Sequence, residues 1–455
     1  RDWSSDVCSS DLAAERAREW RRVQRGEADI VVGTRSAVFA PLRAPGLICV
    51  DEEEDAALKE EPEPHYHARD TAAMRAAQHG AVLLLGTAHP SVETRQRIGA
   101  SATHVIAAPQ AAVQCVDLRQ TPPRTLLSEA MLAGIRTALA AGSGAVLFAN
   151  RKGFAAALHC RDCGASPSCS RCSVPLTLYR KTARLACRYC GTAQETPDTC
   201  PACRSARIEP VGTGTERLEA ELRKLFPDAR IGRLDRETAR TDEQAAALRH
   251  GLADKHLDML IGTQLLFQDL PMPPVGFVGI PYADAGLHRP DFRSAERTYQ
   301  ILRAAVGLAR SDGQVVMQTT LPEHHVIAAI AQHHPEKFYA QELAFRQALG
   351  YPPFGQLLSL RVSGKTEAAV KAAAERWATA LKESAKKSSG ILTVLGPIPA
   401  SIERMRGRHR WQILVKSSDG ERARTIVRAT LEHMEAEKQH RGLKFDTDVD
   451  PLEIG

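Results

Sequence analysis

No apolar run in this chain approaches 18 residues, which argues against a membrane-spanning helix. Aromatics are scarce, at 5% of 455 residues, so the cores must rely on Leu, Val, Ile and Ala. The opening "RDWSSDVCSSDL" has no apolar stretch and carries Asp2, Asp6 and Asp11, so it is not a secretory signal. Its composition also breaks from the Ala/Arg-rich "AAERAREWRRVQRGEAD" that follows, and residues 1–12 are read as a leader foreign to the fold. Without an export signal the expected compartment is the cytoplasm, where thiols stay reduced and paired cysteines read as metal ligands before disulfides. A phosphate loop is missing too: no G-x-x-x-x-G-K-[ST] occurs. "SGKT" at 363–366 has Ser359 where the first glycine belongs, and "GTGTE" at 212–216 lacks the lysine.

What is present is a globular composition, 43% hydrophobic and 25% charged, with a net charge of +6. The length suits about three domains. The mild basicity is compatible with a polyanion partner without pointing to one.

Eight of the 11 cysteines fall in one segment as four C-x-x-C pairs: Cys160/Cys163, Cys169/Cys172, Cys187/Cys190 and Cys200/Cys203. One such pair is half of a tetrahedral zinc site, so four pairs make two complete sites. Gly164 and Gly191 directly follow the second cysteine of two pairs, where a tight turn is required. Each Zn(Cys)₄ centre carries about −2. Residues 159–210 hold eight Lys/Arg against four acids, an excess that balances two such centres. Neighbouring pairs could share an ion. Alternatively "SVPLTLYRKTARLA", between Cys172 and Cys187, forms a hairpin that brings the inner pairs together and leaves the outer pairs to meet across its base. Free or redox-active cysteines fit a four-fold repeat poorly. The module has no open ligand position and no adjacent base, so it reads as structural. Cys49 and Cys115, isolated in apolar runs, read as core residues.

On either side, apolar β-branched runs alternate with helical patterns, which argues for parallel α/β sheets with functional loops at the strand ends. Runs at Ile30–Val32 and Leu47–Val50 precede a helix over Arg69–His79, then "AVLLLGTAHP" and a further helix. "ICVDEEED" places Asp51 and Glu52 directly after an expected buried strand. In a nucleotide hydrolase the first such carboxylate holds Mg²⁺ and the second orients the attacking water; the competing reading is a solvated loop. Thr87 and Ser91, at the end of the next strand, suit a loop that couples to it. Beyond the cysteines, "LDMLIGTQLL", "GFVGIPYADAGLHRPDFRSAERTYQILRAAV" and "GQVVMQTTLPEHHVI" supply strands and helices of a second lobe.

Taken together, "GEADIVVGTRSAVFAP", "DEEED", "HYHARD", "LFANRKGF", the four C-x-x-C pairs, "GTGTERLEAEL", "LIGTQLL", "DFRSAERTYQIL", "ELAFRQALGYPPFGQL", "VLGPIPASIERMRGRHRWQILVK" and "DTDVDP" resemble the PriA family of bacterial primosomal proteins. These are superfamily-2 DNA helicases of replication restart, and the resemblance runs from about Ala13 to the end. It implies an α/β fold of two RecA-like helicase lobes, the first incomplete, with an inserted double zinc module and a C-terminal α/β domain. The implied boundaries are 13–109 for the first lobe, 110–158 and 211–330 for the second, 159–210 for the zinc module and 331–455 for the last domain. It implies two Zn²⁺ in nested pairing: Cys160, Cys163, Cys200 and Cys203 on one, Cys169, Cys172, Cys187 and Cys190 on the other. For a full-length member it implies ATP and Mg²⁺, 3′→5′ unwinding of branched, forked or single-stranded DNA, and contacts with primosome proteins and single-stranded-DNA-binding protein.

Several positions depart from the family pattern. Its N-terminal DNA-binding domains and phosphate loop would precede Ala13. Glu54 stands where its acidic motif ends in His. "AAVGLARSDGQ" keeps only Arg310 of two arginines, the aromatic-rich loop is thinned to His65, Tyr66 and His67, and the loop after "GTQ" lacks the usual lysine and glycines. These losses support an alternative: a helicase-like scaffold that binds DNA and partners without ATPase activity.

Near the C-terminus, Arg404, Arg406, Arg408, His409, Arg410 and Lys416 surround Trp411. Cations hold phosphates and an aromatic stacks on an unpaired base; the bland alternative is a basic hairpin with a half-core Trp. "HHPEKFYAQEL" reads as a capped helix with packing aromatics and surface His333 and His334, and "LKESAKKSSG" as a solvated helix end.

Overall fold

The computed structural model describes residues 5–7, 13–98, 109–122, 125–149, 157–179, 184–210, 215–267, 272–387, 391–437 and 440–454. In the first α/β unit, the apolar runs become the parallel strands Leu47–Val50 and Val82–Leu85, with Ile48 opposite Leu83. The helix Ala68–His79 links them and stops at Gly80, whose φ of 66° is the left-handed conformation favoured at a helix end. Only one face of this two-stranded sheet is covered by the helix. Leu47, Val82 and Leu84 are therefore 56%, 64% and 56% exposed, and Cys49 is exposed rather than a core residue. The strand before Asp51 is half-buried, not the buried strand expected. Ser5–Val7, expected to stand outside the fold, pairs in parallel with Val31–Gly33.

The second unit is a six-stranded, wholly parallel sheet. Its order is Ile231–Leu234, Met259–Gly262, Ala145–Phe148, Val275–Ile280, Ala309–Thr319, Ala112–Asp117. Alternation divides each strand between two cores. Val146 and Phe148 join the helices Asp242–Ala253, Ser294–Val306 and His325–Ala331 on one face. Ala145 and Leu147 join Glu129–Ala140 and Thr215–Leu225 on the other. Such a doubly wound sheet is the architecture of a RecA-like lobe. Cys115 lies on its edge strand, where it is only partly buried. "NRKGF" and most of "GTGT" lie outside the described residues.

The cysteine segment leaves this unit through Leu158–Cys160 and returns through Ile208–Pro210, which pair antiparallel. Inside it, Thr177–Tyr179, Arg184–Ala186 and Ala193–Glu195 form a three-stranded meander, so the expected hairpin is present. The last unit is a four-stranded antiparallel sheet, ordered Leu392–Met405, Arg408–Ser417, Gln356–Gly364, Lys444–Val449. The helices Glu367–Lys387 and Gly420–Ala436 back it, around a buried Trp377 whose ring N–H donates to Thr430 Oγ1 at 3.1 Å. The helix Pro335–Leu349 buries Phe338 and Tyr339 as expected, but it starts on Pro335, and His334 gives no side-chain cap. His334 is exposed, while His333 is half-buried. The end of Glu367–Lys387 is not wholly solvated, since Leu381 and Ala385 are buried. No helix among the described residues is long and apolar enough to cross a membrane.

Candidate functional site

The four C-x-x-C turns converge as two groups. Cys160, Cys163, Cys200 and Cys203 form one, Cys169, Cys172, Cys187 and Cys190 the other, each with its sulfurs within 4.8 Å of one another. Sulfur–sulfur distances of 3.6 Å (Cys160–Cys203, Cys163–Cys200, Cys169–Cys190) approach the ~3.8 Å edge of a tetrahedron built from ~2.3 Å Zn–S bonds. Four thiolates, joined by no His or carboxylate among the described residues, fit structural Zn²⁺. The residue after each turn is left-handed: Gly164 (φ 73°), Ser173 (53°), Gly191 (76°) and Arg204 (62°). Two turns thus use the glycine that the spacing called for, and two form without it.

The module is wedged between the second unit and the C-terminal sheet. A Cβ on Gly164 would lie 2.8 Å from the Thr320 carbonyl oxygen, so the first group touches the carboxyl end of Ala309–Thr319. A Cβ on Gly191 would lie 2.7 Å from Ile398 Cγ2. The Tyr351 hydroxyl donates to the Cys172 carbonyl at 3.0 Å, and Gln412 Nε2 to the Arg188 carbonyl at 3.1 Å. The second group therefore leans on the C-terminal sheet.

At the acidic loop, Asp51 and Glu52 are exposed at the strand end, and Glu52 (φ 46°) donates its N–H to Asp51 Oδ1 at 3.0 Å. The next two acids, absent from the expected site, hold the loop. Glu53 is 0% exposed and accepts from the Ser91 amide (2.6 Å), Ser91 Oγ (3.0 Å), Thr94 Oγ1 (2.8 Å) and Arg69 (3.0 Å). Glu54 accepts from Thr87 Oγ1 at 2.5 Å, and burial pushes its carboxyl above the ordinary value. Thr87 and Ser91 thus join the two loops.

A buried ionic network lies behind this loop. Arg346, fully buried on Pro335–Leu349, pairs with Glu296 (2.7 Å), Glu342 (2.9 Å) and Glu93 (3.4 Å). Arg293 pairs with Glu93 (2.6 Å) and Glu296 (3.2 Å). Both guanidinium groups sit over the Phe292 ring. Burial raises the Glu296 carboxyl, but Arg346, Arg293 and the Val92 amide outweigh it and bring its pKa to about 2. The network joins both α/β units to the helix that enters the last domain. None of its members was singled out by role from sequence, although Arg293, Glu296, Glu342 and Arg346 lie in "DFRSAERTYQIL" and "ELAFRQALGYPPFGQL". Arg310 lies at the amino end of its strand, paired with Asp312 at 3.1 Å, away from the carboxyl edge.

The basic hairpin does form, turning at Arg406 and Gly407, both left-handed as a two-residue turn requires. Arg404 and Arg406 are exposed at its tip. Arg408 and Arg410 share one face of the sheet. Trp411 and His409 are on the other, where Trp411 packs against the helix-side core and Lys371 Nζ lies 5.7 Å from its ring centroid. Lys416 is at the opposite end of its strand, bonded to the Leu349 carbonyl and 4.5 Å from the Tyr351 ring centroid. The six residues expected to gather around one aromatic are thus divided among the hairpin tip, the two faces of the strand and its opposite end.

A family model described as "Primosomal protein N C-terminal domain" matches residues 347–452, and one described as "PriA DNA helicase Cys-rich region (CRR) domain" matches 169–194. Replication restart protein PriA of Bacillus subtilis is 35% identical over 450 residues, covering 96% of this chain and 56% of its own. That of Treponema pallidum is 35% identical, covering 97% and 67%, and that of Haemophilus influenzae 30% identical, covering 99% and 62%. The chain spans 56% to 67% of the length of these curated relatives. With this identity, along nearly its whole length, to proteins that carry one name, the chain belongs to the PriA family of replication restart proteins.

Proposed function

We propose that the protein is a replication restart factor that binds branched DNA at stalled forks and assembles a primosome there, and that a full-length member of this family unwinds DNA 3′→5′ with ATP in the cytoplasm. The observation that carries this is the pair of Cys₄ groups wedged between a RecA-like lobe and the C-terminal sheet, in a chain of this family. The eight cysteines hold two Zn²⁺, which fix the relative placement of the two units. Arg404 and Arg406 at the hairpin tip, with Arg408 and Arg410 behind, hold phosphates, while Trp411 and Lys416 serve packing. Where a phosphate loop completes the site, Asp51 positions Mg²⁺ and Glu52 the lytic water; both are exposed at a strand end, as that role requires.

Two observations favour the scaffold alternative, in which DNA and partners are bound without hydrolysis. Glu54 is engaged by Thr87, and Arg310 is held by Asp312 at the wrong strand end. Unwinding by a full-length protein carrying this sequence that Glu52→Gln abolishes supports the motor, and its absence in the unsubstituted protein supports the scaffold. For DNA binding, Arg404→Glu/Arg406→Glu should weaken oligonucleotide affinity evenly across sequences and lower the salt slope by about 2. An unchanged slope would remove the hairpin from the DNA site.

A further inference from the structure

One face of the C-terminal sheet carries a row of cations that ends in acids. Alternation and register put Arg408, Arg410, Arg361, Asp446 and Asp448 on the same face: Ser363 is opposite Arg410, and Arg361 is opposite Asp446. The row continues across a domain boundary into the loop that follows the acidic motif. His65 Nε2 lies 2.9 Å from Asp446 Oδ1, and Arg361 is 2.8 Å from the other oxygen of that carboxylate. Lys59 Nζ lies 2.9 Å from Asp448 Oδ1 and donates to the Val449 carbonyl at 2.6 Å. The loop is held in this posture by Arg35, which grips Glu60 with two bonds of 2.8 and 2.9 Å. Beside the contact opens a cavity of about 820 Å³, lined by Lys59, His65, His67, Arg69, Arg293 and Asp450 among others. The Nδ1 of His67 and the Nε of Arg293 are buried there without a hydrogen-bond partner among the described residues.

Four cations and a histidine in sequence along one path, Lys59 and His65 contributed by another unit, suit a phosphodiester backbone better than they suit two aspartates. We propose that Asp446 and Asp448 stand in for phosphates: they occupy the far end of a single-stranded nucleic-acid path that runs from Arg408 through Arg410 and Arg361 to His65 and Lys59. A strand entering the cavity displaces the two carboxylates and undocks the 444–449 strand from the acidic loop. This rests on the DNA-binding reading above and adds to it a second contact and a means by which DNA reaches the acidic motif.

The test is oligo(dT) binding by fluorescence anisotropy across a salt series, with wild type, Asp446→Asn/Asp448→Asn, and the same pair combined with Lys59→Gln. The double variant should bind at least about 5-fold tighter, with a salt slope steeper by about 1 to 2, and Lys59→Gln should reverse most of the gain. Hydrogen exchange on wild type is the second measurement and does not depend on a variant folding. Saturating oligo(dT) should speed amide exchange in residues 444–449. Unchanged or weaker affinity in the folded double variant, or slowed exchange at 444–449, would overturn the proposal while leaving DNA binding by the hairpin intact. Failure of wild type to bind oligo(dT) at all would overturn both.

Discussion

Arg346→Met removes one charge from the buried network while keeping most of the side-chain volume. Arg293 is then left to serve Glu93 and Glu296, and Glu342 is left with His325 at 3.4 Å. Breaking a buried ion pair by removing one partner costs about 3–5 kcal/mol, because the remaining charges stay desolvated. Linkage points the same way, for Arg346, Arg293 and the Val92 amide taken together. The Glu296 carboxyl falls from 4.5 to about 2, against the burial that would raise it, and Arg346 is the first of the groups that lower it. At about 1.4 kcal/mol per tenfold change in the protonation equilibrium, that is on the order of 3 kcal/mol. Because the folded pKa is depressed, this stabilisation is present above about pH 4.5 and is lost as pH falls towards 2. Thermal denaturation should therefore show the variant melting about 6–12 °C lower at neutral pH, taking ~2–4 °C per kcal/mol for a unit of ordinary size. The gap between variant and wild type should narrow as pH falls from 4.5 to 2. A loss under about 1 kcal/mol at neutral pH, or a gap that stays constant into acid, would refute the reasoning.

Other consequences are open to similar checks. Glu53→Gln takes the carboxylate from Arg69, Ser91 and Thr94, and should cost about 2–4 kcal/mol, read as faster amide exchange at Ser91 and Thr94. Gly164→Ala puts a methyl group against the Thr320 carbonyl at a φ of 73°, and should speed zinc loss to a chelator from the first group before the second. Lys416→Met should leave the salt slope of DNA binding unchanged, since the ammonium is already committed to the Leu349 carbonyl and the Tyr351 ring; a slope lowered by about 1 would return Lys416 to the DNA site.

The parts legible in sequence were those whose physics is local. Four C-x-x-C turns specify their own local geometry, so two Cys₄ sites were expected from spacing, which left two pairings open; the nested assignment that the structure shows was implied only by the family resemblance. The alternation of apolar runs gave the parallel sheet of the second unit for the same reason: side-chain period is a local property. Burial was less legible because it depends on what covers a strand. Cys49 sits in an apolar run that one helix covers on one side only, and it ends exposed. Trp411 and Arg410 are adjacent in sequence and therefore on opposite faces of a strand, which a count of nearby cations does not register. The Arg346 network was invisible because Glu93, Glu296 and Arg346 are 50 to 253 residues apart, and nothing in a charged helical stretch distinguishes a solvated glutamate from one that will be buried. The same holds for the acidic loop, where five consecutive acids, Asp51 to Asp55, follow one strand and only tertiary packing separates exposed Asp51 and Glu52 from buried Glu53.

The central claim is that the cysteines hold two zinc ions in nested pairs, and metal content of paired substitutions tests it most directly. Protein purified in reducing buffer should carry two zinc ions per chain. Cys163→Ser/Cys200→Ser damages one group and should leave one ion, whereas Cys163→Ser/Cys169→Ser damages both and should leave none held tightly. The reverse pattern, one ion retained in Cys163→Ser/Cys169→Ser and none in Cys163→Ser/Cys200→Ser, would contradict the pairing, and zinc-free wild type would contradict the account as a whole.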